Sequence, residues 1–327
     1  MISRRVWKNM LLLALTSLIC LAVIEAAARI MLPEITVTRY GWGIEENTSE
    51  KRSVMDPEGV VRNFTVEYST RGFKRWGDPD SDRKKMLVIG DSYTHMMWTP
   101  NGEEYYAYLE EEFDDMEFFV FGASEYGPLQ EYLIIDDYYD AIKPDVILWQ
   151  FCGNDYRNSN HVLDSAYYPC NNRHARPYLE GDDIVYRYPT PLSWVRMKSR
   201  AAKSIVGLYE NYVQARRCGA EDILPASPEL EADAFNTTLR IMMMVRERVG
   251  DTPIYLFSTD NMTWREEEIC RAADMACIPG VAEHLLEKES EGVRTTYRPL
   301  DGHWTPDGNK YVGEYLAEYF KACSMTS

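Results

Sequence analysis

Met86-Leu87-Val88-Ile89-Gly90-Asp91-Ser92-Tyr93 is the stretch whose reading decides the fold. Four apolar residues in a row, closed by glycine, read as a strand buried on both faces, which is the habit of parallel sheets. A serine just past such a strand stands in the crevice at the carboxyl ends of an α/β sheet, where ligands bind. Outward from this point the pattern repeats. A helix is expected over about 103–113, then a strand over 116–121 closed by Gly122. Pro128 opens a helix to about 142, proline being tolerated in a first turn. A third strand over 145–151 is closed by Gly153. Strand–helix–strand repetition predicts an α/β fold with a central parallel sheet covered on both faces.

Three expected strands therefore end in Gly90-Asp91-Ser92, Gly122-Ala123-Ser124 and Gly153-Asn154-Asp155. In a parallel sheet these ends share one edge. They bring together a hydroxyl, a bare backbone N–H and a side-chain amide, which is what acyl transfer requires: a nucleophile, and donors for the oxyanion. Far along the chain, Asp301-Gly302-His303-Trp304 supplies a base and an acid to orient it. Thr305-Pro306-Asp307 then starts a last helix, with an N-cap followed by proline, that runs to about 322.

These four blocks, in this order, resemble the SGNH (GDSL-type) hydrolases and acyltransferases over about residues 85–322. The resemblance implies a three-layer, flavodoxin-like α/β/α arrangement and a serine esterase or O-acyltransferase working through a Ser92 acyl-enzyme. It implies Ser92 as nucleophile, His303 as general base and Asp301 as the residue that orients it. The oxyanion hole would be the N–H groups of Ser92 and Gly122 with the Asn154 amide. Two departures stand out: Cys152 precedes Gly153-Asn154-Asp155 where the family usually has G-x-N-D, and one residue rather than two separates Asp301 from His303. The expected substrate is an ester, first an acetylated carbohydrate outside the cytoplasm. The alternatives are a lipase or lysophospholipase, and a glycan-binding or assembly protein that keeps the fold. No cofactor is implied.

The ends of this domain carry further readings. Arg4, Arg5 and Lys8 precede an apolar run from Met10 to Ile24 that continues, past Glu25, to Leu32. About 20 apolar residues can cross a bilayer, with the basic flank on the cytoplasmic side. The stretch 10–32 reads as a signal anchor behind a basic tail at 1–9; cleavage after Ala28 is the alternative. Residues 33–84 form a turn-rich lead-in with short strands. Within the domain at 85–327, residues 157–228 break the strand–helix rhythm and read as an insertion holding a helix near 192–215. A helix over 230–248, a strand over 253–258 and a helix from 263 follow.

Composition narrows the function classes. The formal charge is −17 over 327 residues, against nucleic-acid binding, which needs basic patches. Six cysteines follow Cys20, an even number that suits disulfides in an exported domain. Cys270 and Cys277 are near enough to bridge, and Cys152 reads as a buried thiol. No cysteine pair has zinc-ligand spacing with histidines near it, so no metal is expected.

Overall fold

The computed structural model describes residues 4–32, 38–41, 46–55, 59–170, 173–217, 227–298 and 302–323. In chain order, helix α1 (Arg4–Met31) precedes strands β1 (Thr48–Met55), β2 (Val61–Tyr68), β3 (Arg75–Trp76) and β4 (Lys84–Gly90) and helices α2 (Ser92–His95) and α3 (Tyr105–Glu112). Next come β5 (Met116–Gly122), α4 (Pro128–Ile142), β6 (Val146–Phe151), α5 (Asn154–Asn158), α6 (His161–Ala166), β7 (Arg176–Glu180), β8 (Asp183–Arg187), α7 (Pro191–Lys198) and α8 (Arg200–Arg217). The chain continues with α9 (Pro228–Val249), β9 (Ile254–Ser258), α10 (Trp264–Ala272), β10 (Ala276–Ile278), α11 (Val281–Ser290) and α12 (Pro306–Ala322). They form two compact units: Met1–Trp42 with Asp164–Arg176 and Tyr186–Pro225, and Gly43–Leu163 with Pro177–Val185 and Ala226–Ser327.

The second unit holds a six-stranded sheet in the order β10-β9-β6-β4-β5-β3. All neighbours pair in parallel except β3, which runs antiparallel to β5. The sheet is thus α/β, as expected, with one short antiparallel edge taken from the lead-in. The reason is hydrogen bonding: Lys74 and Gly77 donate their N–H groups to Val120 and Phe118 of β5, which would otherwise present a bare edge.

Burial follows the strand pattern. Met86 to Gly90 are all buried. Met86 and Val88 pack with Tyr105, Tyr106 and Leu109 of α3 and with Val312, Leu316 and Phe320 of α12. The alternate residues Leu87 and Ile89 face the other side, where α4 packs on β4 and on α9. Gly313 lets α12 lie close on α3, since a Cβ there would stand 2.5 Å from the Tyr105 carbonyl oxygen. The Cys270–Cys277 disulfide ties α10 to β10, and Cys152 is a buried free thiol.

In the first unit, α1 buries none of its side chains and is long and apolar enough to cross a membrane. The single helix expected near 192–215 is two helices broken at Ser199, whose backbone is extended. Ser199 is diverted by its own side chain: its hydroxyl donates to Glu25 at 2.6 Å and accepts the Ala202 N–H at 3.0 Å.

Candidate active site

Strand register sets the site. Gly90 pairs with Gly122, and Ile89 with Trp149, so the carboxyl ends of β5, β4 and β6 lie side by side. Ser92 follows β4 as the first residue of α2, where the helix makes no use of its backbone N–H. Asp91 caps this turn, its Oδ1 accepting the Tyr93 N–H at 3.0 Å. Gly122 is required by packing. A Cβ on it would stand 2.3 Å from the His95 nitrogen, so only glycine lets α2 sit on the end of β5.

His303 arrives from the other end of the chain. Its carbonyl accepts the Tyr297 N–H at 3.0 Å, and Thr305 donates its N–H to Thr295 at 2.9 Å. Trp304 is buried beside it and Thr305 caps α12 with Pro306 at the first position. The loop carrying His303 is therefore pinned on both sides. His303 Nε2 lies 2.7 Å from Ser92 Oγ. With the serine hydroxyl donating, Nε2 is the acceptor, as a general base must be. Asp301 lies outside the described residues.

Asn154, the first residue of α5, donates Nδ2 to Asp91 Oδ2 at 3.3 Å. Asp91 therefore holds the turn on one carboxylate oxygen and the amide on the other. Burial pushes the Asp91 carboxyl above its usual range, against the lowering effect of the Tyr93 N–H, His303 and the Gln150 and Asn154 amides. Cys152 and Gly153 are set by two other carboxylates, Asp155 accepting the Cys152 N–H at 2.8 Å and Asp260 the Gly153 N–H at 3.0 Å. Burial pushes the Cys152 thiol well above its ordinary range, helped by the Asp91, Asp155 and Asp260 charges.

The structure thus brings Ser92, Gly122, Asn154 and His303 to one place in one unit. It also assigns roles that sequence reasoning did not reach. Gln150 is fully buried in β6, and its Oε1 accepts the Asp91 N–H at 3.1 Å and the Thr94 hydroxyl at 2.9 Å. A polar residue within the apolar run Val146–Phe151 was the available signal. Tyr93 packs its ring 4.7 Å from the His303 ring and donates its hydroxyl to the Gly302 carbonyl at 3.0 Å.

A second serine–histidine pair lies close by. His95 Nδ1 is 2.8 Å from Ser124 Oγ and accepts the Ser124 backbone N–H at 3.0 Å. Its Nε2 is 2.9 Å from the Tyr68 hydroxyl. Burial, reinforced by Lys74, Arg52 and His303, holds His95 well below the ordinary imidazole range. A buried, neutral ring whose Nδ1 is already occupied by a backbone N–H braces the loop after β5.

Beside the Ser92–His303 pair, in the same unit, is a cavity of about 400 Å³ whose lining includes Tyr93, Asp260, Leu285, Arg298, Gly302 and Trp304.

No protein-family model and no curated protein sequence matches the chain. Solved structures do. A member of the lipolytic G-D-S-L family from Veillonella parvula is similar with a TM-score of 0.42 at 10% identity, over 73% of this chain and 98% of that one. The lipase/acylhydrolase from Enterococcus faecalis gives 0.41 at 10% identity, over 73% and 96%. A catalytic mutant of an acetylxylan esterase from Geobacillus stearothermophilus gives 0.38 at 11% identity, over 75% and 95%.

Proposed function

We propose that this chain is a serine ester hydrolase or O-acyltransferase acting through an acyl-enzyme on Ser92. The observation that carries the reading is the 2.7 Å contact between Ser92 Oγ and His303 Nε2. As Oγ bonds to the ester carbonyl carbon, its proton passes to Nε2. The carbonyl oxygen becomes an oxyanion received by the N–H groups of Ser92 and Gly122 and by Asn154 Nδ2. When the ester C–O bond breaks, His303 returns the proton to the departing alkoxide. Water or an acceptor hydroxyl then takes the acyl group by the same steps in reverse, so hydrolysis and transfer share one intermediate. Asp301 orients His303 in this scheme.

The substrate we propose is an acetylated carbohydrate outside the cytoplasm. Aromatic rings and charged groups both line the neighbouring cavity, which suits a polar, ring-shaped leaving group. Helix α1 is read as a membrane anchor behind the basic residues Arg4, Arg5 and Lys8. The same helix gives the second reading its support, a lipase or lysophospholipase working on the membrane that holds it. Acetate release from acetylated xylan and fatty-acid release from lysophospholipid, each compared with Ser92→Ala, separate the two. Release of either that Ser92→Ala leaves unchanged overturns the serine-enzyme reading.

A further inference from the structure

We infer that the α7–α8 hairpin lies in the membrane surface beside α1, so that the first unit holds the bilayer by an interfacial helix as well as a spanning one. The inference rests on α1 being the membrane anchor. The residues concerned all belong to that unit.

Helix α8 carries its apolar stripe on the wrong side for a soluble helix. Val206 and Glu210 are buried, and Glu210 pairs with Arg196 of α7. Ile205, Leu208, Tyr209 and Tyr212, at i, i+3, i+4 and i+7, are 54–72% exposed. Leu192, Trp194 and Val195 of α7 are exposed as well. An uncovered stripe of this width, rich in Tyr and Trp, has the composition of the boundary between headgroups and acyl chains. The cations are placed to match: Lys198 is exposed, and the Arg216 guanidinium lies 4.7 Å from the Tyr212 ring centroid. Such a face suits a bilayer with anionic lipid.

Contact with α1 sets the depth. Glu25 accepts the Ser199 hydroxyl at 2.6 Å and the N–H groups of Arg200 and Ala201 at 3.2 Å each, and so caps α8 from the apolar helix. Arg200 in turn donates to the carbonyls of Arg29 at 2.6 Å and Leu32 at 2.9 Å. At 1.5 Å per residue, Glu25 lies roughly 9 Å from the outer end of α1. That is the depth at which an interfacial helix rests. It also accounts for a carboxylate in an apolar helix, since its partners come from the protein rather than from lipid.

The test uses the full chain, its free cysteines Cys20, Cys152 and Cys323 replaced by serine, in vesicles of phosphatidylcholine and phosphatidylglycerol. Nitroxide labels at Leu208→Cys or Tyr212→Cys are compared with labels at Leu15→Cys on α1 and at the exposed Asp182→Cys. The expected result is several-fold lower collision with an aqueous nickel chelate at 208 and 212 than at 182, with oxygen access raised. Labels at 208 and 212 as open to nickel as 182, while 15 stays shielded, overturn the inference and leave the anchor standing. A nickel-accessible label at 15 overturns both.

Discussion

The Tyr93 hydroxyl donates to the Gly302 carbonyl at 3.0 Å, joining the residue after Ser92 to the residue before His303 across 209 positions of sequence. Ser92 opens α2 and His303 sits in the loop before α12, and a 2.7 Å contact between them needs both segments held. Tyr93→Phe keeps the ring against His303 and removes this bond. Its kcat on p-nitrophenyl acetate should fall about tenfold or more, because small displacements of reacting groups carry costs of that order. The melting temperature should barely move. An unchanged kcat would mean that other contacts set the distance.

Asn154→Ala removes the amide proposed for the oxyanion hole and the partner of Asp91 Oδ2. Loss of one such donor costs about 10²–10³ in kcat. The KM for a small ester should change little, since the donor acts on the charge that forms in the transition state. A raised KM with kcat intact would reassign Asn154 to substrate binding.

Lys74 gives a stability prediction. Its ammonium is buried, lies 5.1 Å from the Tyr68 ring centroid and has no hydrogen-bond partner among the described residues. Burial pushes its pKa down from 10.5 to about 8, against the opposing charge of Glu104. Between pH 8 and 10.5 the unfolded chain holds the extra proton, so stability rises with pH across that window. Below about 8 both states are protonated and the folded one bears the burial cost. Lys74→Met should raise the melting temperature at neutral pH and flatten the rise above pH 8. A lower melting temperature throughout would show that the cation's attraction to Tyr68 and Glu104 is the larger effect.

Much of this was readable from the chain. Met86–Ile89 is an unbroken apolar run and Val146–Phe151 one broken only by Gln150, and a sheet covered on both faces buries such strands. Glycines at 90, 122 and 153 marked where the strands stop. The break of one long helix at Ser199 was hidden because its cause, Glu25, stands 174 residues earlier. The edge strand Arg75-Trp76 was hidden because two residues carry no periodicity, and only the free edge of β5 makes them a strand. At the site, Ser92 and His303 stood in short blocks of their own, whereas the contacts of Tyr93 and Gln150 join positions far apart in the chain. The contacts of His95 with Ser124 and Tyr68 likewise join separate parts of the chain.

That second pair makes the most direct test a chemical one. A fluorophosphonate reacts with an activated serine and leaves a covalent adduct that peptide mass mapping can place. The account predicts one adduct, on Ser92, lost in Ser92→Ala and formed far more slowly in His303→Ala, with His95→Gln still labelled. An adduct on Ser124 that depends on His95, or no adduct on Ser92, would contradict it.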